Sequence, residues 1–109
     1  MIFEALWSAA QRGELLLVEG ALCHYHVRRD GQLTICEIIV LPTCQRQGIG
    51  AGLLRELRLI ADGRGCTSIL AKCPVDLGAN AWYGHRGFVH ETTETTRTGR
   101  AVNVWRLAV

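Results

Sequence analysis

Residues Gln45-Arg46-Gln47-Gly48-Ile49-Gly50-Ala51-Gly52-Leu53-Leu54, QRQGIGAGLL, set three alternating glycines at the mouth of an apolar, helix-like run. Glycine inside a helix costs about 0.5–1 kcal/mol against alanine, so placing three there needs a reason. The usual one is a ligand whose anionic group must approach the backbone closely. The free N–H groups of a first helical turn, at the positive end of the helix dipole, then form the anion site.

The rest of the chain frames that loop. Downstream, Leu53, Leu54, Leu57 and Ile60/Ala61 recur at helical spacing until Gly63 and Gly65 close the helix. Upstream, residues 33–41 (LTICEIIVL) are rich in β-branched side chains and stop at Pro42, as a strand does. Residues 14–19 and 20–27 read as two earlier strands, the second ending in the turn Arg28-Arg29-Asp30-Gly31. Residues 2–12 form a short amphipathic helix stopped by Gly13. After the central helix come a strand (67–75), a short helix (79–85) with Gly87-Phe88 as its exit, and a hairpin (92–97 and 101–108) around Thr98-Gly99-Arg100. The order α-β-β-β-α-β-α-β-β predicts a mixed α/β (α+β) fold. An antiparallel meander feeds a strand–glycine loop–helix–strand unit, all in one domain spanning 1–109.

Bulk composition narrows the partners. A chain of 109 residues, nearly half apolar, makes one domain with one core. A net charge of +2 with scattered cations and no Lys/Arg run argues against nucleic acid. No apolar segment approaches the roughly 20 residues of a membrane span. Glu4 and the lack of a basic start argue against a signal peptide. Cys23, Cys36, Cys44, Cys66 and Cys73 are odd in number and hold no C-x-x-C pair, so reduced thiols in the cytoplasm are expected.

Three ligand classes use a strand–glycine loop–helix. A nucleotide P-loop needs Gly-Lys-Ser/Thr, and Ile49-Gly50-Ala51 offers neither the lysine nor the hydroxyl. A dinucleotide fingerprint needs G-x-G-x-x-G, and Leu53 stands where its last glycine belongs. The third class fits. Gln45-Arg46-Gln47-Gly48-Ile49-Gly50, after a strand ending Val40-Leu41-Pro42, resembles the Q/R-x-x-G-x-G/A signature of the GNAT N-acetyltransferase superfamily. Ala79-Asn80-Ala81-Trp82-Tyr83-Gly84-His85-Arg86-Gly87-Phe88 resembles the family's A-x-x-[FW]-Y-x-x-x-GF helix. The two motifs together are far more specific than either alone, and the resemblance covers residues 14–109.

That resemblance implies a mostly antiparallel central sheet with a splayed strand pair and flanking helices. It implies transfer of an acetyl group from acetyl-CoA, as cosubstrate, to a primary amine: a small amine, a lysine or a protein N-terminus. The backbone of Ile38, Ile39 and Val40 would lie along the pantetheine arm, with an N–H near Val40 polarising the thioester carbonyl. Gln45, Arg46, Gln47, Gly48, Ile49, Gly50 and Ala51 would wrap the diphosphate. Tyr83 would be the general acid for the leaving thiolate, or else a packing aromatic beside Trp82 and Phe88. Asn80 would hold the pantetheine arm or cap the short helix. The family's asparagine seven positions before the tyrosine is Asp76 here, and its glutamate twelve before is Ala71. Glu37 is then the remaining candidate base, directly or through water, against the reading of a solvated or ion-paired strand glutamate. Members carry a further strand and helix before this chain's start, so the acceptor groove would be open or completed by a partner.

Other groupings carry less. His24 and His26 share a strand face but lack a third ligand, so no metal site is expected. Cys44 lies in the loop with no histidine beside it in sequence. Residues 92–98 (TTETTRT) read as an exposed edge strand on which a second copy could pair. Two alternatives stand beside acetyl transfer: a non-catalytic acyl-CoA-binding module of the same fold, and an unrelated nucleotide-binding domain.

Overall fold

Period-two alternation sets the core-facing side chains of the strands that pack on the central helix on one sheet face. In chain order the elements are helix α1 (Ile2–Gln11), strands β1 (Leu15–Val18), β2 (Ala21–Val27) and β3 (Gln32–Val40), a 3₁₀ turn (Pro42–Cys44), helix α2 (Ile49–Gly63), strand β4 (Ser68–Pro74), helix α3 (Ala79–His85), and strands β5 (Val89–Thr95) and β6 (Ala101–Ala108). The computed structural model describes residues 2–45 and 48–109. Cys23 and Tyr25 of β2, Leu33 and Ile35 of β3, and Ile69, Ala71 and Cys73 of β4 share one core with Leu53, Leu54, Leu57 and Ala61 of α2. The helical spacing of those four residues places them on the stripe that the sheet buries.

The expected element order holds throughout. The six strands run β1-β2-β3-β4-β6-β5. All pairs are antiparallel except β3–β4, which is parallel, as a strand–helix–strand crossover requires. The strand expected to start at residue 92 begins at Val89. All seven residues of β5 are exposed, so no apolar alternation marks its start. Glu91 is an extra residue there, since His90 faces Trp105 and Thr92 faces Val104.

The opposite sheet face is closed differently near β6. Leu70, Val102 and Val104 are buried. In the strand register Arg106 stands opposite Leu70, and Lys72 opposite Val104. Arg106 forks onto Glu91 (3.1 and 3.0 Å) and Lys72 meets Glu94 at 3.0 Å, so long charged side chains lie beside this apolar strip. Near β1, α1 buries Ala9 and exposes the stacked rings of Phe3 and Trp7, 6.3 Å apart.

Glu14 fastens the start of β1. Its carboxylate accepts bonds from the Val27 amide (3.0 Å) and Arg12 Nε (2.9 Å), and meets His26 Nδ1 at 3.0 Å. Burial pushes its pKa up, but those three partners outweigh burial and hold it at about 2.

Candidate active site

β3 and β4 pair only from Gln32–Ile35 against Ser68–Ala71. Beyond that point β4 stays with β6 to Pro74, while β3 stays with β2 to Val40. Two local features part them. Cys36 is an extra residue on β3, because His24 faces Glu37 and Tyr25 faces Ile35, and such a bulge bends its strand. On β4, the amide of Val75 donates to Ala101 of β6. Strand alternation therefore turns residue 74 toward β3. It is proline and has no N–H, and its carbonyl accepts Asn80 Nδ2 at 2.8 Å. The β4 lip thus has nothing at this position with which to pair.

The gap is a cleft of about 670 Å³ between the two strands, the N-terminus of α2 and helix α3. On its β3 side it is lined by Glu37, Ile38 and Val40, then by Gln45, Gly48, Ile49, Gly50 and Ala51, with Tyr83 across from them. These residues, singled out from sequence, are brought together. Arg46 and Gln47 lie outside the described residues. Ile39 does not line the cleft: Leu41 donates its amide to Gly20 beside β2 at 2.8 Å. Alternation turns the amide of Ile39 toward β2 as well and leaves that of Val40 facing the cleft. The Val40 carbonyl accepts Gln45 Nε2 at 3.4 Å.

The start of α2 borders the cleft with unpaired amides among the described residues. Gly52 is the first residue to close a helical bond, to the Gly48 carbonyl at 3.1 Å. The amides of Ile49, Gly50 and Ala51 therefore have no acceptor within the helix. Among the described residues no side chain caps this end, and no acid lies in the first turn. The glycines turn out to have separate reasons. Gly48 has φ +77°, a left-handed conformation that disfavours a Cβ. A Cβ on Gly50 would come 3.1 Å from Trp82, so this glycine admits the indole. Among the described residues Gly52 has only Arg55 at 3.7 Å, an ordinary contact. Ligand approach alone does not account for all three.

Tyr83 is buried, edge-on to Trp82 (5.2 Å) and Phe88 (5.1 Å), and stacked on Trp105 at 6.3 Å. Burial, reinforced by the neighbouring Cys73 and Cys23, pushes its phenol up to about 12, so it is protonated at neutral pH. Its hydroxyl has no hydrogen-bond partner among the described residues, although the ring lines the cleft. Burial also pushes up the thiols of Cys36 and Cys73, which line the same cleft, and so disfavours their nucleophilic thiolates.

Asn80, expected at the pantetheine arm or as a helix cap, is not the cap. The N-cap of α3 is Gly78, and the amide of Asn80 is spent on the protein itself. Sequence reasoning missed two cations of the cleft, Lys72 and Arg86. Lys72 is paired with Glu94, whereas the Arg86 guanidinium sits 6.0 Å from the centre of the Trp82 ring. The four-residue spacing of Trp82 and Arg86 across the end of a helix was the available signal.

Comparison with known proteins places this geometry. A family model described as Acetyltransferase (GNAT) domain matches residues 3–90. The ribosomal-protein-S18-alanine N-acetyltransferase of Escherichia coli superposes with a TM-score of 0.73 at 25% identity, over 94% of this chain and 74% of that one. A protein from Bacillus anthracis assigned as a streptothricin acetyltransferase, solved in complex with acetyl coenzyme A, gives 0.75 at 16% identity, over 83% of this chain and 56% of that one. A protein from Desulfovibrio desulfuricans assigned to the GNAT family gives 0.74 at 21%, over 82% of this chain and 60% of that one. The chain thus spans under two thirds of the length of several structures that it matches. No curated protein matches it by sequence. With residues 3–90 inside one family model, and the parted strands and open helix start laid out as the two motifs imply, the chain belongs to the GNAT acetyltransferase family.

Proposed function

We propose that the protein transfers an acetyl group from acetyl-CoA to a primary amine by direct attack, the acceptor being the α-amine of a protein or peptide. One observation carries this: the inward amide of Val40, the uncapped start of α2 and the phenol of Tyr83 face a single cleft. A site for a diphosphate needs free donors and no competing acid; the first turn of α2 carries no acid, and among the described residues nothing accepts from its amides, which supports this reading. A volume of about 670 Å³ falls within the range of small-molecule sites.

When bound, the thioester supplies the carbonyl at which the C–N bond forms and the sulfur with which the C–S electron pair leaves. The chain's own groups act around that exchange. Amides of Ile49, Gly50 and Ala51, with Arg86, hold the diphosphate. The Val40 N–H donates to the carbonyl oxygen as charge grows there. Glu37, directly or through water, takes the ammonium proton so that the amine attacks neutral. Tyr83 donates a hydrogen bond to the departing sulfur. Burial keeps the phenol protonated at neutral pH, so it meets the departing sulfur as a donor.

The acceptor class rests on a relative. The E. coli protein is named for an alanine of ribosomal protein S18, and an alanine carries no amine except at its α-nitrogen. A cytoplasmic location accords with five free cysteines, and none of the described helices is long and apolar enough to cross a membrane.

Thiol release from acetyl-CoA is the test, with peptides bearing a free α-amine, N-blocked lysine peptides and small amines as acceptors. Release with the first group supports the reading; release only with the others overturns the acceptor class. Binding of CoA without release from any amine would favour the non-catalytic module. One residue favours that alternative: Ala71, buried where the strands part, leaves the β4 side of the cleft floor without a carboxylate.

A further inference from the structure

Asn80 stands one helical turn before Tyr83, on the same side of α3. Its amide joins three elements. Nδ2 donates to the carbonyls of Pro74 (2.8 Å) and Leu77 (2.8 Å), while Oδ1 accepts Asn103 Nδ2 (3.0 Å) and Trp105 Nε1 (2.9 Å).

The donors fix every orientation. An indole N–H only donates, so the Asn80 atom facing Trp105 must be oxygen. Asn103 therefore turns its NH₂ to Asn80 and its own oxygen outward. That oxygen meets His90 Nε2 at 3.0 Å and accepts Thr93 Oγ1 at 2.9 Å, so His90 must carry a hydrogen on Nε2. Both the neutral Nε2–H tautomer and the cation satisfy this, and protonating His90 leaves the chain of bonds intact. At the inner end, the ring of Trp105 stacks on Tyr83 at 24° between planes.

We infer that Asn80 is a positioning residue for acetyl transfer: by fixing Trp105 and the end of β4, it sets where the Tyr83 hydroxyl stands in the cleft. This rests on the transfer reading for its kinetic consequence and not for its geometry. Nor is its role that of a helix cap, since Gly78 holds the cap position without a side-chain bond.

Three variants and two readouts test it. Asn80→Ala removes every bond. Asn80→Asp keeps the oxygen that accepts from Trp105 and Asn103 but loses the donors to Pro74 and Leu77. Trp105→Phe keeps a ring over Tyr83 without the N–H. The first readout is the Trp105 indole ¹H–¹⁵N resonance and its contacts to the Tyr83 ring in the whole chain. The second is kcat against KM for acetyl-CoA with a fixed amine.

In Asn80→Ala the indole resonance should shift and lose exchange protection, and the contacts to Tyr83 should weaken. kcat should fall about 10–100-fold with KM for acetyl-CoA within about threefold, the scale of a misplaced catalytic group. Asn80→Asp should hold the indole resonance and recover part of kcat. Unchanged contacts between Trp105 and Tyr83 in Asn80→Ala, or a lower melting temperature with unchanged kcat, overturns the inference. If Asn80→Ala does not fold, Trp105→Phe decides: full wild-type kcat overturns it, and a fall in kcat at constant KM supports it. If the wild type releases no thiol from acetyl-CoA, the transfer reading has failed, and the resonance data alone still decide whether Asn80 places Tyr83.

Discussion

The indole of Trp82 rests on the α-carbon of Gly50, so closely that a methyl group there would lie 3.1 Å from the ring. Helix α3, which carries Tyr83, is thereby set against the first turn of α2, and the two motifs of the sequence meet at one contact. Replacing Gly50 with alanine should push that ring away. We expect a loss of about 1–3 kcal/mol in stability from overpacking, with weaker acetyl-CoA binding by calorimetry.

Gly52 should behave oppositely. Its neighbour is the far end of Arg55 at 3.7 Å and its backbone is helical, so nothing among the described residues opposes a methyl. Gly52→Ala should stabilise the fold by about 0.5–1 kcal/mol, seen as a rise in melting temperature, with CoA affinity unchanged.

Tyr83→Phe removes a hydroxyl that has no partner among the described residues and keeps the ring contacts with Trp82, Phe88 and Trp105. Stability should hardly change. Because a hydrogen bond to a charged group is worth about 1.5–3 kcal/mol, kcat should fall about 10–100-fold with KM for acetyl-CoA nearly constant. A variant as fast as wild type removes Tyr83 from the mechanism.

Arg86 has a tryptophan ring rather than a carboxylate beside it. Arg86→Ala should raise KM for acetyl-CoA about fivefold, or about 1 kcal/mol, with kcat little altered. The effect should shrink as salt is added, because an exposed charge is screened.

Glu14 governs acid stability. Its carboxyl titrates near 2 in the fold against an ordinary 4.5, so the folded state favours the ionised form. The contribution, at most about 3 kcal/mol, is present in full above pH 4.5 and is lost as pH falls toward 2. Urea melts from pH 7 to pH 2.5 should show that decline, and Glu14→Gln should flatten it while lowering stability at pH 7.

What sequence revealed depended on how local the cause was. The α2 stripe, the turn at Asp30-Gly31 and the strand stop at Pro42 are each encoded within a few residues, and the element order followed from them. The parallel β3–β4 pairing and its early end match the splay that the two motifs implied. The role of Asn80 was not legible, because its partners Asn103 and Trp105 lie on β6, and no short-range pattern marks them. Glu14 likewise draws on Val27 and His26, across a register that only the folded meander sets. The three glycines looked alike in sequence and separate only once Trp82 is in place.

Pro74 bears on the kinetics of ligand entry. With no N–H to offer and its carbonyl engaged by Asn80, the tip of β4 has no bond to give up when a guest arrives. Admission then requires no unzipping of the sheet, and the association rate should reflect diffusion and charge rather than a slow opening step.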